Sequence, residues 1–162
     1  KTKKLIQAQK RHMHIGVPGH GIVIAVPIKS VGGGKTVAFL NGETDNAAYT
    51  PSLNYAHELI VAVCSQGCTD MVMNAARAAG ARGGTVLHGK GTGANGAPKF
   101  YNITIAQEKE MILIVAAASQ KTAIMQSILK KAGPDSKAGT IVFSLPTTQV
   151  AGFALLDNQD ET

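Results

Sequence analysis

Apolar positions along this chain fall into short continuous runs separated by helical stripes. Residues 59–64 (LIVAVC), 111–117 (MILIVAA) and 140–145 (TIVFSL) are runs of a length that suits buried strands. A fourth strand is expected at 85–88, after the Gly83-Gly84 turn. Between the runs lie two amphipathic stretches. Val72, Ala75, Ala76 and Ala79 recur at helical spacing after Cys68 or Thr69, with Asp70 in the first turn and Gly80 as the stop. Ile124, Met125, Ile128, Leu129 and Ala132 form the second stripe, with Ser119 as the expected N-cap and Gly133-Pro134 as the end. The order strand, helix, strand, strand, helix, strand predicts an α+β fold. It is a ferredoxin-like βαββαβ sandwich, an antiparallel sheet with both helices on one face.

The last part of this pattern occurs twice. Residues 21–33 (GIVIAVPIKSVGG) read against 140–152 (TIVFSLPTTQVAG) at an offset of 119, which is 146 minus 27. A period that long is a whole small domain rather than a solenoid unit. Residues 1–15 match the second helix and 21–28 the fourth strand. The chain, which opens on Lys1 without an initiator Met, is expected to contain four parts. Residues 1–40 are the C-terminal part of a first repeat, 41–56 a linker, 57–156 a complete domain and 157–162 an acidic tail. One helix and one strand cannot bury a core alone, so the partial repeat must add to something else.

Composition narrows the function classes. Apolar residues make up 44% of the chain, enough for a core, and aromatic residues only 4%, so that core is aliphatic. No apolar run reaches the length of a membrane span, and membrane insertion is not expected. Residues 1–42 carry seven Lys or Arg and no acid, whereas 43–162 carry nine basic and ten acidic residues. The excess charge of +6 therefore belongs to the N-terminal segment. No aromatic residues interleave those cations for base stacking, so nucleic acid is not the expected partner. Two cysteines without a secretion signal point to reduced thiols and a cytoplasmic setting.

Few residues suggest chemistry. Gly32-Gly33-Gly34-Lys35-Thr36 fails as a phosphate loop, because Lys29 stands where the first glycine is required. Cys64 and Cys68 are spaced C-x3-C, unlike the C-x2-C of zinc and redox sites, and no second ligand pair follows. His12, His14 and His20 cluster near the N-terminus without a carboxylate beside them in sequence. No Ser-His-Asp or paired-carboxylate constellation stands out, so neither a catalytic residue nor a metal site is assigned and the chain reads as a non-enzyme. The glycine-rich segment 89–96 joins two strands, and Lys90, Lys99 and Lys109 around it are expected to converge on an anion.

These residues carry a resemblance. The passage from Ala78 to Val86 (AAGARGGTV), then Lys90-Gly91-Thr92-Gly93, Glu108-Lys109-Glu110 before MILIVAA, and 139–146 (GTIVFSLP) together resemble the P-II nitrogen regulatory (PII) family. The resemblance covers residues 57–153, and tandem-repeat PII-like proteins are the most similar. It implies a trimer with nucleotide clefts between subunits. It also implies a loop, here 89–109, that contacts a partner protein such as a transporter or an enzyme, and a place in nitrogen metabolism. By position, Thr85 matches a residue lining the adenine pocket, and Gly91 and Gly93 match glycines at the loop base. Lys109 matches a basic residue at the loop's far end. Asn95 falls where the family places a Gln that helps bind magnesium and 2-oxoglutarate. The turn holding Ser136, Lys137 and Gly139 is expected to close the cleft.

Departures from the family shape the ligand expectation. Thr140 stands at the place of a phosphate-binding Lys, and Ala151 and Phe153 stand at two Arg places. Each lost charge-assisted hydrogen bond is worth about 1.5–3 kcal/mol. No cofactor is certain, but an adenine nucleotide resembling AMP is favoured over ATP, with Lys137 replacing one cation. The leading expectation is a PII-like signalling protein that senses a small ligand and regulates a partner. The alternatives are a redox- or metal-binding domain using Cys64 and Cys68, and a structural oligomerisation module.

Overall fold

In the computed structural model, the described residues are 2–17, 19–28, 54–91, 99–100, 103–104 and 106–152. They form α1 (Thr2–His12), β1 (Val23–Ala25), β2 (Asn54–Ser65), α2 (Thr69–Ala78) and β3 (Thr85–Gly91). These are followed by β4 (Lys99–Phe100), β5 (Ile103–Thr104), β6 (Gln107–Ala117), α3 (Ala118–Ala132), β7 (Ile141–Thr147) and β8 (Gln149–Ala151). The chain divides into two units, Tyr55–Leu145 and Lys1–Asn54 with Pro146–Thr162.

The larger unit has the expected βαββαβ order. Its four-stranded sheet runs β3-β6-β2-β7, so each helix crosses over one intervening strand. β6 pairs antiparallel with β2 from His57↔Ala117 to Ser65↔Lys109, and with β3 from Thr85↔Leu113 to Gly91↔Gln107. Period-two burial along β6 assigns its faces. Glu110, Ile112, Ile114 and Ala116 are buried, whereas Met111 is exposed. Ile60, Ala62 and Cys64 of β2 share the inner face, and Val72, Met73, Ala75 and Ala76 of α2 and Ile124, Ile128 and Ala132 of α3 close over it. Small residues on α2 let the helices approach, and Ser127 Oγ donates 2.7 Å to the Ala75 carbonyl across that contact.

Three local expectations need correction. Ser119 is not an N-cap. β6 pairs through Ala117, and Ala117 then turns directly into α3 with no side-chain cap. Leu129 is 45% exposed and leaves the apolar stripe to Ile124, Met125, Ile128 and Ala132. Gly89, Lys90 and Gly91 are not loop residues but the end of β3, because Lys109, Glu108 and Gln107 opposite supply a ladder for them.

The smaller unit is built from α1, β1 and β8. β1 pairs antiparallel with β8 from Val23↔Ala151 to Ala25↔Gln149, and Ile6, Ile15 and Ala151 are buried together. Thr148 reinforces the pair by donating from its N–H (2.8 Å) and its hydroxyl (3.2 Å) to the Ala25 carbonyl. Gly152 follows at φ +99°, where an added Cβ would lie 2.5 Å from the Gly21 carbonyl oxygen.

The turns that follow α1 and α3 share their hydrogen bonds at the sequence offset. Val17 N–H donates to His14 O (3.2 Å) and His20 N–H to Val17 O (3.0 Å). Ser136 N–H donates to Gly133 O and Gly139 N–H to Ser136 O, both 3.0 Å. The spacings 133 minus 14, 136 minus 17 and 139 minus 20 are all 119.

Candidate functional site

The site forms where β2 ends, β6 begins and the turn after α3 meets them. Ser65 is the junction. Its N–H donates 2.9 Å to the Ala138 carbonyl, and its hydroxyl accepts 3.3 Å from Lys109 Nζ. The turn 133–139 is internally fixed. Ser136 Oγ donates 2.8 Å to the Gly133 carbonyl and accepts 3.2 Å from the Ala138 N–H. Gly139 closes the turn at φ +55°, a left-handed backbone that suits glycine. Ala138 is fully buried as the anchor, while Lys137 beside it is exposed. A hydrogen-bonded turn thus holds an exposed cation at the sheet edge, next to a second cation on Ser65.

The other expected residues sort by sheet face. Gly91 lies beside Lys109: a Cβ at Gly91 would meet Lys109 Cγ at 3.0 Å. Lys90 points to the opposite face and pairs with Glu108 at 3.5 Å. Lys90 and Lys109 therefore do not converge, because adjacent β positions alternate in direction. Thr85 is exposed at the start of β3, opposite Leu113, about 20 Å along the strand from Gly91. Lys109, Gly91, Ser136, Lys137 and Gly139 gather at one end of the sheet and Thr85 stands at the other. Gly93, Asn95 and the Lys99 side chain lie outside the described residues. Thr140, just before β7, is fully buried, so it offers nothing to a phosphate at the surface.

Sequence reasoning missed Ser65 and Glu110. Glu110 is a buried carboxylate on the inner face. Its Oε2 accepts 2.6 Å from Thr69 Oγ1 and 3.2 Å from Thr69 N–H, at the start of α2. The Thr69 hydroxyl and then the Gly67 N–H hold its pKa below the ordinary carboxylate value, against the opposing effect of burial. The signal for Glu110 was the alternation that places it in line with Ile112 and Ile114. Ser65 was marked only by following the apolar run 59–64.

Cys64 and Cys68 are free and buried. Burial, followed by the nearby Glu110 carboxylate and Cys68, pushes the Cys64 thiol up to about 11. A neutral thiol is not the nucleophile that a redox role for Cys64 requires. Among the described residues, no helix is long and apolar enough to cross a membrane.

The family model "Nitrogen regulatory protein P-II" matches residues 57–153, more than half of the chain. The chain belongs to the P-II nitrogen regulatory protein family. It is accordingly a regulatory signal-transduction protein with the ferredoxin-like fold. Among solved structures, a crystal structure of Arabidopsis thaliana PII bound to citrate is similar over 56% of this chain and 77% of that one, at 21% identity and a TM-score of 0.45. No curated protein matches the chain.

Proposed function

We propose that this PII protein is a non-enzymatic cytoplasmic sensor. It binds an adenine nucleotide bearing few phosphates in clefts between identical subunits and presents the segment after β3 to a partner protein, in the manner of nitrogen regulation. The observation that carries the ligand reading is the junction at Ser65, where the fixed turn 133–139 and Lys109 meet. Two cations, Lys109 and Lys137, suit one or two phosphates. The burial of Thr140 supports the preference, since no third charged group is supplied there. Thr85, far from Lys109 on the same strand, would contribute its end of the cleft to a neighbouring subunit's ligand.

We read residues 1–40 as the C-terminal part of a preceding PII-like copy, which would make 57–156 the complete one. The two turns with matched hydrogen bonds support this reading.

Calorimetry with ATP, ADP, AMP and cyclic AMP tests the ligand assignment. The mono- or diphosphate should bind more tightly than ATP, and Lys109→Ala should weaken binding by roughly tenfold, the scale of one charge-assisted contact. Magnesium-dependent ATP binding at low micromolar affinity would overturn the phosphate preference. No binding of any nucleotide would leave the chain a structural oligomer module.

A further inference from the structure

We propose that His14 and His20 form a binding site for a transition-metal ion of borderline softness, such as Zn2+ or Cu2+. The two histidines occupy the ends of the turn after α1, which is fixed by the bonds from Val17 to His14 and from His20 to Val17. Their ring centroids are 6.2 Å apart, with the rings inclined at 82°. A zinc–nitrogen bond is about 2.0–2.1 Å, which puts an ion roughly 3.2 Å from the centre of each ligating ring. Two rings sharing one ion therefore have centres no more than about 6.4 Å apart. That limit is a straight N–metal–N line; at a tetrahedral angle the centres lie roughly 5.2 Å apart, so the two exposed side chains close by about 1 Å on an incoming ion.

The hydrogen bonding prepares one ligand. His20 Nδ1 lies 3.3 Å from the Met13 carbonyl oxygen. A carbonyl only accepts, so Nδ1 carries the proton and Nε2 keeps its lone pair. This backbone-oriented tautomer is what a metal-ligating imidazole needs. His14 is the one non-glycine residue with positive φ among the described residues, at 51°. Left-handed backbone at a non-glycine residue carries a cost and clusters at sites that use it. The equivalent ends of the turn after α3 are Gly133 and Gly139, so the shared turn does not itself require imidazoles. The turn also follows the C-terminus of α1, where the helix dipole favours a cation. No third His, Cys, Asp or Glu joins the pair among the described residues, which leaves the remaining coordination positions to water. Two imidazoles with water select Zn2+ or Cu2+ over Mg2+ or Ca2+.

The test uses the whole chain. Calorimetry with Zn2+ should show one saturable site per chain, and Cu2+ should give an electron paramagnetic resonance spectrum with coupling to two nitrogens. His20→Gln and His14→Asn should each weaken binding at least about tenfold. Asn tolerates left-handed backbone, so the second variant keeps the turn. His12→Gln, removing an exposed neighbour outside the pair, should leave binding within twofold. Absence of saturable binding would overturn the proposal. So would binding that survives in the double variant, or an equal loss in His12→Gln.

Discussion

Glu110 shows how a single side chain ties a strand to a helix. Its carboxylate satisfies Thr69 N–H in the first turn of α2, a donor the helix cannot pair internally, and the Thr69 hydroxyl makes a second bond to it. Its pKa is held low in the folded state, so the stabilisation it provides is complete above the unfolded value near about 4.3. That stabilisation disappears as pH falls through the folded value. Glu110→Gln should destabilise the protein by about 1.5–3 kcal/mol at pH 7, the loss expected for a charge-assisted bond. The difference from wild type should shrink as pH falls below about 4.3. Denaturant unfolding across that range checks it, and a gap independent of pH would assign the effect to packing instead. Nothing local announced Thr69 as the partner, because the two residues are 41 positions apart. The same is true of Ser65 and Lys109, separated by 44. Sequence alternation places a residue on a face but does not show what meets it there. That is why Lys109 and the turn residues were legible one by one, while the serine joining them was not.

At the scale of elements, the fold was readable where burial follows the period. The stripe on α2 came directly from it and that on α3 all but Leu129, whereas the continuous apolar run of β6 marked a strand without showing which of its positions face inward. Boundaries were less readable. β3 runs on through Gly89 and Gly91, because a ladder partner outweighs the weak strand preference of glycine. The pairing of β1 with β8 is a long-range event that no local pattern encodes. It depends on Gly152, whose left-handed backbone and closeness to the Gly21 carbonyl leave no space for a side chain. Gly152→Ala should therefore cost about 1–3 kcal/mol. The loss should be confined to the smaller unit. Amide exchange should quicken at Val23 and Ala25 while Ile112 and Ile114 stay protected. Uniform loss of protection throughout the chain would mean that the two units unfold together.

At the scale of the whole molecule, the sheet of the larger unit has one face covered by its helices, while on the other Leu59 and Val61 of β2 are buried and large apolar side chains of β3, β6 and β7 stay partly open. Leu87 and Met111, paired across β3 and β6, and Phe143 on β7 are 48%, 39% and 43% exposed. Two helices can cover only one side of a four-stranded sheet, and the apolar runs do not distinguish the two sides. The face bearing Leu87 and Met111 also carries Thr85, Gly91 and Lys109, so burying it between subunits would bring one copy's Thr85 toward another's turn. We expect a trimer assembled through this face. A stable interface needs about 800 Å² from each partner, and two strands' worth of large aliphatic side chains are a suitable centre for it. Light scattering should give a mass near three chains, independent of concentration in the micromolar range. Met111→Glu would bury an unpaired carboxylate at the centre of that contact and should dissociate the assembly. Ile141→Glu, at the 65% exposed end of β7, should perturb it less. Wild-type protein that stays monomeric at micromolar concentration would refute the assembly, and with it the placement of the nucleotide between subunits.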